Sequence, residues 1–253
     1  MSAPTPIISV IIVCKNPGPR LPAALASVWA QDQVQAELII VDGGSTDGSR
    51  EWLESQRSRI ATLIAEPDHG IYDAMNKGVA VARGEWVLFL GADDRLAGDR
   101  VLSEAVNWMK KNEADIAVGE AIYDDGRIYK LGPRVNPLAR NFVHHQATFY
   151  RRTLFAEHGD FDPSLAIMAD YEFNLRLWKN QVPFKPMPLR IAACGSGGLS
   201  DAGGWRGYGE EIRLRHRYFP AWQCWLWDAL SVVRYGRKKI IRGRFRKIPP
   251  IPY

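Results

Sequence analysis

Cysteine is scarce and scattered in this chain. Cys14, Cys194 and Cys224 lie far apart with no CxxC pair, which argues against a disulfide or zinc framework and fits reduced thiols in the cytosol. Long apolar runs are missing too: no stretch approaches the roughly 18 residues that a membrane-spanning helix needs. The N-terminus has no Lys/Arg cluster followed by an apolar core and a cleavage site, so no secretory signal is expected. No GxGxxG follows the first predicted strand and no GxxxxGK[ST] occurs anywhere. A nicotinamide dehydrogenase and a P-loop kinase are thereby disfavoured. No internal repeat is present.

What is present has the composition of a globular protein. The 253 residues are 46% hydrophobic and 24% charged, enough for one large α/β domain or a domain with an appendage. The net charge of +5 hides an asymmetry. From Arg206 to Tyr253 there are 12 Lys and Arg against the acids Glu210, Glu211 and Asp228, a balance of +9, which leaves −4 for residues 1–205. The basic tail and the mildly acidic body therefore suggest separate tasks.

The first half alternates between strand and helix patterns. ISVIIVCK (8–15), ELIIVDGG (37–44), IATLIAE (60–66) and EWVLFLG (85–91) read as strands; LPAALASVWAQ and YDAMNKGVAVA carry helical spacing. Thr46 or Asp47 is a candidate cap for a helix running through Glu54. Such alternation predicts a mainly parallel sheet with helices on both faces, which binds ligands beyond the strands' carboxyl ends. Asp42, Asp93 and Asp94 all fall at strand ends. The second half is less regular. DIAVGEAIYDDGRIYKLG reads as a hairpin turned at Asp-Asp-Gly, HHQATFYRR follows, and DYEFNLRLWKN (170–180) has a helical pattern. A Pro-rich VPFKPMPL and a glycine-rich loop (194–204) come next.

Adjacent Asp93 and Asp94 repel each other, and something must offset their charge. One reading is that they start a turn and cap the next helix. The other is that they anchor a divalent ion and its diphosphate, since Mg²⁺ and Mn²⁺ take oxygen ligands and often only one or two carboxylates. The residues alone leave both open.

Four blocks extend the comparison: SVIIVCKN, LIIVDGGSTDGS, EPDHGIYDAMNKGVAVARGEWVLFLGADD and GDFDPSLAIMADYEFNLRLW. Together, from about Ser9 to about Ser200, they resemble the family-two glycosyltransferases of bacterial polysaccharide biosynthesis. The resemblance implies a GT-A fold, α/β with a mainly parallel central sheet and helices on both faces; the charge and aromatic pattern after it reads as a basic C-terminal helical tail. Together they divide the chain into a donor-binding half (about 1–96), an acceptor half (about 97–205) and the extension 206–253.

The resemblance also implies roles. Asn16 and Cys14 loosely, and Asp42 firmly, would hold the nucleotide base and ribose. Asp68, His69, Asp73 and Lys77 would frame the nucleotide from the other side; the alternative reading is a helix cap for Asp73 and surface positions for His69 and Lys77. Asp93 would contact ribose or support the metal, and Asp94 would ligate Mn²⁺ or Mg²⁺, although the order could be reversed. The usual Asp-x-Asp begins one acid earlier, where this chain has Gly91. Asp170, where Glu-Asp is common, would be the base that takes the acceptor proton. His145 and Gln146 would line the acceptor side; without further ligands at suitable spacing, His144 and His145 do not suggest zinc. Gly197, Gly198 and Ser200 would form a flexible loop over the phosphates.

The implied reaction is an inverting transfer of a sugar from a nucleotide-diphosphate donor to a hydroxyl acceptor. The acceptor would be a saccharide or lipid-linked saccharide of a cell-surface polysaccharide or glycolipid. A polyprenyl-phosphate glycosyltransferase and a noncatalytic nucleotide-sugar or membrane-binding module are the alternatives. Trp222, Trp225 and Trp227 precede RKKIIRGRFRK, a pattern expected of an interfacial helix on an anionic membrane. That places the protein on the inner face of the cytoplasmic membrane; no motif supports nucleic-acid binding.

Overall fold

A computed structural model describes residues 5–32, 34–132, 135–195 and 204–245. β1 (Ile8–Cys14), β2 (Ala36–Asp42), β3 (Thr62–Ala65) and β4 (Trp86–Gly91) pair in parallel in the order β3-β2-β1-β4. α1 (Leu21–Trp29), α2 (Ser49–Ser55) and α3 (Ile71–Val81) connect them. β1 is buried along its whole length, as a strand covered on both faces must be. Alternate residues feed two cores. Val10, Ile12, Ile40 and Leu88 pack with α1, and Ile11, Val13, Ile39 and Phe89 with α3. Gly78 lets α3 lie close to the sheet: a Cβ there would sit 2.5 Å from Cγ2 of Ile11.

Beyond β4 the sheet becomes mixed. After β5 (Arg95–Leu96) and α4 (Val101–Lys111) come β6 (Ile116–Tyr123) and β7 (Ile128–Tyr129), the hairpin turned at Asp-Asp-Gly. β8 (Thr148–Arg151) pairs antiparallel with β4 and β6. α5 (Thr153–His158), α6 (Ala169–Lys179) and β9 (Phe184–Cys194) follow. β9 is parallel to β6 and, near its end, antiparallel to β5. It takes in most of the Pro-rich segment VPFKPMPL. Pro186 and Pro188 lie where β9 pairs with β6 alone and its register shifts, positions at which a missing N–H is tolerated.

The chain ends in two helices, α7 (Gly204–Tyr218) and α8 (Ala221–Phe245). Pro220 stands between them, where it cannot continue a helix. Among the described residues, no helix is long and apolar enough to cross a membrane.

Candidate active site

The parallel register brings three strand ends to one edge, with Cys14 opposite Asp42 and Val13 opposite Gly91. Asp42 is fully buried. Its carboxylate accepts the Ser45 N–H at 3.1 and 3.3 Å, the Ser45 hydroxyl and the Cys14 thiol at 3.7 Å. Burial and the Asp42 charge push the Cys14 thiol far up, so it stays protonated as a donor. Ser45 Oγ accepts the Asn16 N–H at 2.8 Å, and Asn16 Oδ1 accepts the Thr46 N–H at 2.8 Å. Asp47 accepts the N–H groups of Gly18 and Ser49; Gly48, at φ 89°, is the cap of α2. The loops after β1 and β2 are thus tied into one floor. Asn16 is exposed on it, whereas Asp42 braces it from beneath.

The stretch from Asp68 to Lys77 closes one side. The Asp68 carboxylate lies over Gly43, where a Cβ would be 1.9 Å from Oδ2; any larger residue at 43 would displace it. Asp68 Oδ1 also accepts the Gly70 N–H at 3.0 Å. His69 is exposed, and its N–H donates to Asp73 at 3.0 Å. That bond, against a smaller effect of burial and with help from Lys77, holds the Asp73 carboxyl below its usual range. Lys77 meets Glu66 at 2.8 Å, Asp73 at 3.4 Å and the Pro67 carbonyl at 3.0 Å. Asp73 and Lys77 therefore brace the start of α3, while Asp68 and His69 stand beside the floor.

The acid pair follows β4. Asp94 is 3% exposed and folds back to accept the Gly91 N–H at 2.8 Å. Burial raises its carboxyl, and the neighbouring Asp93 charge adds to the rise; the Gly91 N–H, His145 and the Cys194 thiol oppose it. Gly91 has a structural reason here. A Cβ at that position would lie 2.7 Å from Asp94 Oδ2 and 3.1 Å from Asp93 Oδ1. Asp93 is more open and meets exposed Arg20 at 3.4 Å. Among the described residues, no group of three or more His, Cys, Asp or Glu could hold a metal ion. Two adjacent carboxylates with one loosely placed cation nevertheless fit Mg²⁺ or Mn²⁺, which take one or two protein carboxylates and complete their shell with diphosphate oxygens and water.

Across from this pair, Asp170 opens α6. Its Oδ1 accepts the Tyr171 N–H at 2.8 Å and faces the Tyr72 hydroxyl at 3.1 Å. Its Oδ2 accepts from Asn141 Nδ2 at 2.9 Å and lies 3.1 Å from His145 Nδ1. Burial alone would raise this carboxyl; the bond and charge of His145 and the Tyr171 N–H outweigh it and hold the group below its usual range. His145 also bears electrostatically on Asp94, which links the acceptor side to the acid pair. Gln146 Oε1 is buried with no hydrogen-bond partner. His144 is held neutral, its pKa lowered to about 4 by burial and by His145.

Glu210 on α7 was not among the residues expected here. It is 1% exposed and accepts the N–H groups of Ala166, Ile167 and Met168 at 3.2, 2.9 and 3.0 Å. The only sequence signal was an acidic pair, Glu210 and Glu211, inside a basic tail. Gly197, Gly198 and Ser200 lie outside the described residues. A surface hollow lined by Ile7, Arg83, Glu85 and Arg151 lies at the amino ends of β1 and β4, away from this site.

The family model described as "Glycosyl transferase family 2" matches residues 9–170. A PGL/p-HBAD biosynthesis glycosyltransferase of Mycobacterium tuberculosis (strain ATCC 25177 / H37Ra) is 35% identical over 182 residues, covering 69% of this chain and 71% of the relative. The glycosyltransferase GlyG of Streptococcus pneumoniae serotype 4 is 30% identical over 129 residues, 49% of this chain and 42% of the relative. Among solved structures, S. aureus TarS 1-349 in complex with UDP-GlcNAc has a TM-score of 0.68 at 20% identity, with 83% of this chain and 65% of that one covered. This chain spans 39% of a longer TarS structure. The mannosyltransferase PcManGT from Pyrobaculum calidifontis, in complex with GDP-Man and Mn²⁺, has a TM-score of 0.63 at 19% identity, covering 92% and 75%. The fold is that of the GT-A glycosyltransferases. On its sequence, the chain belongs to glycosyl transferase family 2.

Proposed function

We propose that the chain is an inverting glycosyltransferase that moves a sugar from a nucleoside-diphosphate donor to a hydroxyl acceptor. The observation that carries this is the Asp170–His145 pair, 3.1 Å apart, with His145 on a turn packed against β4, the strand that leads into Asp93 and Asp94. A basic pole for the acceptor thus faces an acidic pole suited to a cation-bound diphosphate. Asn16, Asp68, His69 and Asp93 would meet the nucleotide, with Asp42, Asp73 and Lys77 holding the loops that present them. Gln146, next to His145 on the same turn, would stand on the acceptor side. Asp94, supported by Asp93, would hold Mn²⁺ or Mg²⁺, which when bound stabilises negative charge on the departing diphosphate. On the acceptor side Asp170 supplies the negative charge that favours removal of the hydroxyl proton. With that proton removed, the oxygen attacks the anomeric carbon directly and inverts it.

The UDP-GlcNAc complex of TarS supports a nucleotide-sugar donor, and a glycolipid acceptor is our reading, in keeping with the mycobacterial relative's part in PGL/p-HBAD biosynthesis. A lipid-linked saccharide of the cell envelope is the acceptor we favour over a polyprenyl phosphate. The noncatalytic alternative predicts nucleotide binding with no transfer.

The tail supports work at the inner membrane face. Toward α7, α8 turns Asp228, Ser231 and Arg234, which pair with Arg215 and Glu211. Outward it turns Trp222 (77% exposed), Trp225, Leu226 and Val233. That polarity is the reverse of a helix packed on a protein and facing water. Basic residues without an acid beyond Asp228 complement anionic headgroups. In domain terms, residues 1–205 would be the transferase body with its donor and acceptor halves, and 206–253 the extension, of which α8 meets the membrane.

A thermal-shift panel of UDP, GDP and their sugars, with and without Mn²⁺, tests the donor site. One nucleotide should raise the melting temperature in a metal-linked way; no shift with any member would contradict the reading.

A further inference from the structure

We propose that the proton of the acceptor hydroxyl is taken by Nε2 of His145, with Asp170 as the positioning residue behind it. This deepens the sugar-transfer reading and rests on it.

An ionised carboxylate offers about four lone-pair positions; Tyr171, Asn141 and His145 take three of those of Asp170, and the Tyr72 hydroxyl, whose one hydrogen also faces the Ile167 carbonyl at 2.7 Å, stands against the fourth. Its side chain is 9% exposed. An incoming hydroxyl would have to displace one of these donors to reach it. His145 has no such obstacle. Its side chain is 16% exposed, and among the described residues Nε2 has no hydrogen-bond partner.

The pairing also sets the tautomer. An ionised carboxylate only accepts, so the hydrogen of a neutral His145 must sit on Nδ1, facing Asp170 Oδ2. That leaves the Nε2 lone pair free to take a proton. The ring belongs to a 3-10 turn, His145–Ala147, anchored where the Ala147 N–H and the Thr148 hydroxyl donate to the His144 carbonyl at 3.0 and 2.7 Å.

His144 cannot take its place. It is half-buried, and desolvation together with the charge of His145 lowers its pKa to about 4 and keeps it neutral. Its ring packs against Tyr129 at 4.0 Å and meets the Tyr123 hydroxyl at 2.9 Å. The charged or titratable groups facing His145 are Asp170 on α6, Asp94 in the turn after β4 and His144 beside it. Of these, Asp170, 3.1 Å from Nδ1, is the carboxylate that stabilises an imidazolium.

In the step, the acceptor O–H bond breaks and its proton goes to Nε2. The freed oxygen electron pair forms the bond to the anomeric carbon. The bond from that carbon to the diphosphate oxygen breaks, and its electron pair leaves with the diphosphate. The imidazolium, held by Asp170, returns its proton to water after product release.

Two measurements on the full chain decide the matter. The first is ¹⁵N NMR of the histidine rings, which needs no substrate. Neutral His145 should carry its hydrogen on Nδ1, and D170N should abolish that preference; an Nε2–H tautomer in the wild type would overturn the proposal. The second is release of nucleoside diphosphate from UDP-GlcNAc or GDP-mannose, with water as acceptor. H145Q should lose about 10²–10⁴-fold in kcat, the usual worth of general base catalysis, with the donor KM within about twofold. The acid-side limb of the wild-type pH–kcat profile should be absent from the residual H145Q activity. Retention of kcat and of that limb in H145Q would overturn the assignment. Absence of release by the wild type from either donor, with the Nδ1–H tautomer present, would instead count against the sugar-transfer reading while leaving the pairing supported.

Discussion

Glu210 accepts the backbone N–H of Ile167 at 2.9 Å across 43 residues of sequence. With the bonds from Ala166 and Met168, this carboxylate ties the C-terminal helices to the turn that launches α6 and presents Asp170. Loss of a partner from a buried N–H costs about 1–3 kcal/mol. Glu210→Ala should therefore destabilise the protein by about 3 kcal/mol, a melting-temperature drop of roughly 6–12 °C for a chain of this size. Glu210→Gln, which keeps an acceptor oxygen, should lose less. Calorimetry of both variants checks this; equal and negligible losses would remove Glu210 from the account.

Gly91 sets up a second test. Restoring the family's usual acid with Gly91→Asp places a Cβ within 2.7 Å of Asp94 Oδ2 and adds a third negative charge. The variant should melt below the wild type in EDTA, and Mn²⁺ should restore more of the difference than it adds to the wild type. Thermal scans with EDTA and with Mn²⁺ measure both terms. A variant as stable as the wild type in EDTA would show that the turn has room after all.

Glu37 gives the pH dependence a sign. Burial would raise its carboxyl, but the Ser9 hydroxyl at 2.6 Å, the Arg83 N–H at 2.6 Å and the Arg83 guanidinium at 2.8 Å hold it below the ordinary glutamate value of 4.5. A lowered folded pKa contributes stability above the unfolded value and loses it as pH falls through the folded one. Glu37→Gln should thus cost stability at pH 7 and progressively less below pH about 4.5. Urea titrations at pH 7 and pH 3 compare the two; an equal cost at both would contradict it.

Much of the fold was legible because β1 to β4 are short apolar runs ending in Asp, Gly or a turn, a pattern with few other solutions. β9 was not, since Pro186 and Pro188 conceal a strand that pairs on one side there. β5 has only two residues, too few to carry a period. Asp170 and the acid pair were legible from the four sequence blocks. The donors around Asp170 were not: Tyr72 comes from 98 residues away and Asn141 from 29, and no local pattern encodes such meetings. Nor did sequence predict that Asp42 would be buried under Ser45, because burial depends on how the two loops close.

The outward Trp and Leu of α8 make a prediction about lipid. Wild-type protein should co-sediment with phosphatidylglycerol vesicles and much less with phosphatidylcholine ones, and salt should weaken the binding. The double substitution W222A/L226A should lose most of that binding while its melting temperature stays within a few degrees. A wild type that ignores both vesicles, or that instead forms dimers through this face, would contradict membrane docking.

Donor binding and turnover of the wild type, D94N and D170N, measured side by side as diphosphate release in Mn²⁺, test the division of labour most directly. D94N should lose affinity for the donor along with activity. D170N should bind donor like the wild type while its turnover falls at least 100-fold. Turnover by D170N at the wild-type rate would contradict the account.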